Sequence, residues 1–321
     1  MFLELSVYRD IKVADLIGCA GSVLIILLFS AGIPLLGPLF QTLTPLPFLY
    51  YATKFGLNQG IKISLITLFV VGLILKLAGF THLIYLSLEF CLFGLVISEI
   101  YRRQFTLGFT VFWGTIILLI IGAIFVFVFS LSKGLTPLEM VQNYFQTNLG
   151  QNFLIYENMG LEKEKVAQLK QLGKMLSDII AKIYPSLVVI GTGFIVWINV
   201  VISKPLFKLK GLQYPEYGRL DRWQAPELMV WGVIVCGFIL FLKIPIIKLI
   251  AINAIIIMAV IYVYNGLCIV LFLFNKYNIP RWARFGIYFL IIIQQMSLVI
   301  LSLMGLFDQW IDFRRIHKKA G

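Results

Sequence analysis

The chain has 321 residues, of which 60% are hydrophobic and only 13% charged. That is about half the charged share of a soluble domain and leaves too little polar surface to coat a water-soluble globule. The formal net charge of +12 does not point to nucleic acid, because the cations are scattered through short loops with no dense basic patch among exposed aromatics; lipid is the expected solvent, and the basic loops are its positive-inside anchors.

A hydrocarbon core of about 30 Å takes about 20 residues of helix. Segments of that kind fall at 14–33, 39–57, 60–78, 82–101, 107–131, 185–203, 226–243, 247–274 and 285–306. The expected fold is all-α, a polytopic integral membrane helical bundle of eight or nine transmembrane helices with one amphipathic helical insertion. Its expected organisation is N-terminal transmembrane helices over 1–132, an extramembrane insertion over 133–184, and C-terminal transmembrane helices with a basic tail over 185–321.

Near the start, charges up to Asp15 and the lack of an Ala-x-Ala pattern predict that the first helix stays attached. Ala14, Gly18 and Ser22 put a small residue at every fourth position of that helix, a stripe on which another helix of this chain or of a separate subunit can pack closely. The second segment is interrupted by Pro34, Pro38, Pro45 and Pro47, each of which removes a backbone donor. Broken backbone at membrane depth needs cover from protein or a watered cavity, so this stretch is either a cavity wall or a kinked helix pair. Glu89 stands inside the fourth segment, where an ionised group is costly and marks a candidate functional site. Lys76, across the turn at Gly79, is its expected partner, and the pair either serves a ligand or pins two helices together.

In the insertion, Val166, Leu169, Leu172, Leu176, Ile179 and Ile183 recur at steps of three and four, with Lys163, Lys165, Lys170, Lys174 and Lys182 between them. This is an amphipathic helix. It lies on the membrane surface or against another helix before the chain meets Pro185 and enters the bilayer, or it pairs with a partner as a short coiled coil. The later segments carry Asn199, Asn253, Asn265, Gln294 and Gln295; Asn253 shares a helix face with Tyr264, and Tyr288 with Gln295. Such amides line a cavity or join neighbouring helices. Asp308 and Asp312 share a face at the membrane edge beside Arg314 and Arg315, which reads as a solvated charged cap more readily than as an acid pair acting on lipid.

Cys19, Cys91, Cys236 and Cys268 all fall within apolar segments, and His82 and His317 lie at opposite ends of the chain, so neither a disulfide nor a metal site is expected. No Walker motif, zinc-protease motif or nucleophile elbow is present. No cofactor and no enzymatic activity are expected. The basic loops around Lys54, Arg102, Lys208 and Lys276 fall on one side of a nine-span chain, the cytoplasmic side, but the tail Arg314-Arg315 then lands outside. Either one segment is re-entrant or the tail departs from the rule.

The closing stretch Gly305-Leu306-Phe307-Asp308-Gln309-Trp310-Ile311-Asp312-Phe313-Arg314 resembles the C-terminal signature of the YybS-like family of bacterial multi-pass membrane proteins. Tyr184-Pro185-Ser186-Leu187, Lys204-Pro205-Leu206, Ala225-Pro226-Glu227 with Trp231, and Asn253 with Asn265-Gly266-Leu267 fit the same pattern. The front half of that family is in turn similar to the substrate-binding membrane subunits of energy-coupling-factor transporters. The resemblance implies a small-residue face on the first helix for a partner subunit, here Ala14, Gly18 and Ser22, and a Pro- and Gly-rich early loop over the ligand. This chain departs from those subunits by its extra C-terminal spans and its long insertion, so the parallel is one of fold. The expected function is binding or transport of a small molecule between the spans, with Glu89, Asn199 and Asn253 as ligand contacts, in a bacterial cytoplasmic membrane. The expected partners are other membrane subunits or an ATPase module. The alternative is a membrane scaffold that gathers other proteins through the amphipathic helix and the tail motif of Asp308, Asp312 and Arg314.

Overall fold

The apolar segments fold into helices in the computed structural model, which describes residues 11–33, 36–134, 136, 139, 163–212, 214–215 and 218–314. In chain order these are α1 (Val13–Gly32), α2 (Gly37–Gln41), α3 (Pro45–Phe55), α4 (Leu57–Leu77), α5 (Thr81–Arg102), α6 (Leu107–Lys133), α7 (Lys163–Lys210), a 3-10 turn (Leu220–Arg222), α8 (Leu228–Ile239), α9 (Pro245–Lys276), α10 (Arg281–Ile293) and α11 (Gln295–Ile311). They form two compact units, Met1–Phe125 with Gly191–Tyr217 and Val126–Ile190 with Gly218–Gly321, so α6 and α7 each contribute to both.

In the first unit, α1 turns Cys19, Val23 and Leu27 inward at four-residue steps, onto Phe48 of α3 and Val71 and Leu75 of α4. Gly94 lets α5 touch α3: a Cβ there would stand 2.6 Å from Phe48 Cβ and 2.7 Å from the Leu49 nitrogen. In the second unit the closest approach is between α9 and α11, where a Cβ on Gly305 would collide with the Tyr262 carbonyl oxygen and one on Gly266 with that of Leu301. Backbone contact of this kind is what holds helices together where lipid removes the hydrophobic drive.

The protein is a helical membrane bundle. Among the described residues six helices are long and apolar enough to cross a bilayer, α1, α4, α5, α6, α7 and α9, and α10 with α11 make a seventh if that pair, bent by 104°, counts as one span. Three of the nine expected segments depart from simple crossings, each for a local reason. Residues 39–57 are split between α2 and α3, because Pro45 and Pro47 cannot donate to the preceding turn. Residues 226–243 yield only the 12-residue α8, about 18 Å long and short of the core thickness. Residues 285–306 break at Gln294, whose φ of −91° and ψ of 102° are extended. Tyr288 and Gln295 therefore sit on different helices and do not share a face.

The amphipathic stretch and the span after it are one helix, since the 48 residues of α7 run through Pro185 without ending. At about 72 Å, α7 is more than twice the core thickness. Its N-terminal part leaves Leu172, Leu176 and Ile179 exposed. Most of the insertion before it, including 140–162, lies outside the described residues.

Candidate functional site

The broken helix of the first unit shows how a proline-rich segment is accommodated among the apolar helices it packs against. With no N–H on Pro45 or Pro47, the neighbouring donors fall back on shorter turns: Thr44 N–H bonds to Gln41 O at 3.1 Å and Leu46 N–H to Leu43 O at 3.0 Å. The retreat of Leu46 strands the Thr42 carbonyl. Asn199 of α7 fills that vacancy, its Nδ2 donating to Thr42 O at 2.7 Å and to Ile195 O at 2.8 Å. Protein thus covers this break. Asn199 and Thr44 are both fully buried, and their Oδ1 and Oγ1 atoms have no hydrogen-bond partner.

Glu89 lies on an exposed face of α5 beside Tyr85 and Leu88. Its expected ion pair with Lys76 is not formed among the described residues: Lys76 is exposed in the last turn of α4, while Glu89 is two turns into α5, roughly 12 Å deeper. No bond joins Glu89 to Asn199, and Asn253 belongs to the other unit. Along the small-residue stripe, Ala14 is exposed. Gly18 faces the Tyr51 hydroxyl of α3, which would have to shift to admit a Cβ, and Ser22 Oγ donates back to Gly18 O at 2.7 Å. Beside the stripe, Lys54 pairs with Asp15 at 2.6 Å.

In the second unit Asn253 of α9 is interposed in a turn of α7. Its Oδ1 accepts from Ser186 N–H at 2.9 Å, and its Nδ2 donates to Lys182 O at 2.9 Å and to Leu249 O at 2.9 Å. Ser186 and Lys182 are the donor and acceptor that an uninterrupted helix would join to each other. The amide bridges the turn that Pro185 disturbs, which explains why α7 continues.

The tail motif is a buried clamp, not the solvated cap expected of it. Asp312 closes α11 in the left-handed conformation with φ of 45°, which turns the chain so that Arg314 folds back into the unit. Arg314 and Asp308 are 4% and 0% exposed and pair at 2.5 Å. The guanidinium also donates to Asn265 Oδ1 at 3.0 Å, Trp223 O at 2.7 Å and Asp221 O at 3.2 Å. Asp308 Oδ1 accepts from Phe313 N–H at 3.1 Å, and Asn265 Nδ2 donates to Gly305 O at 2.8 Å. Sequence reasoning missed Asp221, Asn275 and Arg284, which extend this clamp: Asn275 Nδ2 donates to Asp221 Oδ2 at 3.2 Å and Arg284 donates to Asn275 Oδ1 at 3.0 Å. The legible signal was the run of polar residues at the C-terminal end of an apolar helix. Thr44 was missed too, and the Thr-Pro pair it forms with Pro45 was its only mark.

Asp221 lies in the loop outside the spans, and hydrogen bonds from the Arg219 guanidinium at 2.8 and 3.2 Å hold its carboxyl below the usual range. A carboxylate depressed by folding stabilises the fold fully above its unfolded value, near pH 4, and that stabilisation is lost as pH falls through the lower folded value. Thermal stability of the wild type is therefore expected to fall on acidification below about pH 4. Asp221→Asn should be less stable at pH 7 and should show a smaller loss in that window. An identical acid profile for the two proteins would show that the Asp221 carboxyl does not stabilise the fold through Arg219.

Several apolar helices, a backbone break covered by a buried amide and a buried charge clamp define a multi-pass helical membrane protein. The chain belongs to the family of predicted membrane proteins DUF2232, whose model matches residues 22–309. It is 22% identical over 297 residues to the uncharacterized protein YybS of Bacillus subtilis (strain 168), covering 90% of this chain and 93% of that protein. No solved structure matches.

Proposed function

We propose that the protein is a small-molecule-binding subunit of a transport system in a bacterial cytoplasmic membrane. The observation that carries this reading is the broken α2–α3 helix, where Thr44 Oγ1 and Asn199 Oδ1 are buried without partners. Discontinuous helices at membrane depth are where transporters place their substrate and ion sites. Asn253 spends its amide on the backbone of α7 and α9, so ligand contact falls to Asn199, with Glu89 as the proton-carrying or substrate-pairing carboxylate. Ala14 offers the exposed end of a helix-docking stripe. The sequence has no ATP-hydrolysis motif, so energy comes from a partner subunit or an ion gradient. Native mass spectrometry of the gently solubilised protein should find a retained small molecule. Glu89→Gln should lose that mass, or its proton-coupled uptake in vesicles, while remaining in the membrane; unchanged retention and uptake would remove Glu89 from the site.

A second reading, a membrane scaffold, is favoured by the exposed apolar side chains of Leu172, Leu176 and Ile179 on the N-terminal part of α7. Deleting 163–174 is expected to release co-purifying proteins if the chain is a scaffold and to leave a retained small molecule in place if it is a transport subunit.

A further inference from the structure

The pair α10 and α11 has 13 and 17 residues, about 20 and 26 Å, each shorter than a core of about 30 Å. The bend between them is 104°. Both ends of the pair are tied to one polar cluster. At its start, Arg284 donates to Ile279 O at 2.8 Å, Phe274 O at 3.1 Å and Asn275 Oδ1 at 3.0 Å. Beyond its end, Arg314 donates to Asp221 O at 3.2 Å, and Asp221 Oδ2 in turn accepts from Asn275 at 3.2 Å. The deepest anchor of Arg314 is Asn265, ten residues of α9 from Asn275, a rise of about 15 Å. A single crossing would part the two ends by about 30 Å.

We infer that α10 and α11 form a re-entrant hairpin that enters and leaves the bilayer at one face, and that Arg222, Lys276 and Arg281 at that face bind the phosphate headgroups of anionic lipid. The hairpin brings the end of α11 back to the face that carries Arg222, Lys276 and Arg281, a basic face of the kind the positive-inside rule places at the cytoplasm. All three cations are exposed. Arg219 is committed to Asp221, whose own side chain is buried. Glu227, at the start of α8, is the exposed acid nearest in sequence. Tyr277 and Trp282, 65% and 78% exposed, stand beside the cations as interface aromatics. Each cation at an anionic surface strengthens binding about fivefold.

The test has two arms on the full chain. Single cysteines at Tyr277 and Phe313, with the four native cysteines replaced by serine, are probed with an impermeant maleimide in sealed right-side-out and inverted vesicles. Both are expected to react in the same vesicle orientation; reaction in opposite orientations overturns the hairpin. Protease cleavage of a tag at residue 277 or at the C-terminus, with native cysteines kept, answers the same question if the replaced protein does not assemble. In the second arm, wild type and the variant Arg222→Gln, Lys276→Gln, Arg281→Gln are equilibrated with equal phosphatidylglycerol and phosphatidylcholine, and retained lipid is read by native mass spectrometry. Wild type should prefer phosphatidylglycerol, and the variant should lose that preference by at least about tenfold. Equal retention of both lipids by wild type, or an unchanged preference in the variant, overturns the headgroup assignment.

Discussion

Arg314→Ala is expected to lower stability by about 3–5 kcal/mol, a large effect for a single substitution. The guanidinium is 4% exposed and serves Asp308, Asn265 and two backbone carbonyls. Its removal leaves a fully buried carboxylate and several unpaired acceptors. Arg314→Lys should fail almost as badly, since one ammonium cannot reproduce the planar fork that reaches these acceptors. Asp308→Ala should cost a similar amount by the converse route. The double variant should cost clearly less than the sum of the two, because it leaves no unpaired charge behind. Unfolding of the purified protein in mild detergent measures all four; a loss below about 1 kcal/mol for Arg314→Ala would place the pair in solvent after all.

The clamp also shows where the sequence stopped being legible. Helix positions α1, α4, α5 and α9 follow from hydrophobic length alone, because a segment near 20 apolar residues has one good solution in lipid. The solvated-cap reading of Asp308 and Arg314 failed because it depended on local spacing, whereas their burial depends on Asp312 adopting a left-handed turn and on a loop some ninety residues earlier supplying Asp221 and Trp223. Glu89 was assigned to Lys76 from adjacency across a turn, but a helical hairpin places partners at equal depth and these two differ by roughly 12 Å. The broken helix at Pro45 and Pro47 was visible as a break. That its cover would be Asn199, 157 residues away from Thr42, is a property of the packing and left no mark in the spacing. The same holds for Gln294, where a local departure to extended backbone divides an apolar run that composition reads as continuous.

Asn253→Leu is the other substitution with a large expected effect, and its cause lies on a different helix. Pro185 has no N–H, and its ring crowds the preceding turn of α7. Across that turn Asn253 takes the Ser186 N–H and supplies a donor to the Lys182 carbonyl, both at 2.9 Å. Leucine fills the volume and leaves both backbone groups unpaired away from water, at about 1–3 kcal/mol each. If the amide compensates for the proline, its value must depend on the proline. In a Pro185→Ala background the turn can close on itself, with Ser186 bonding to Lys182 directly, and Asn253→Leu should then cost under about 1 kcal/mol, the ordinary worth of a polar contact between membrane helices. The four proteins form a double-mutant cycle whose coupling energy isolates this dependence. An equal cost of Asn253→Leu with and without Pro185 would show that the amide serves α9 or a ligand, and that the continuity of α7 through Pro185 has another source.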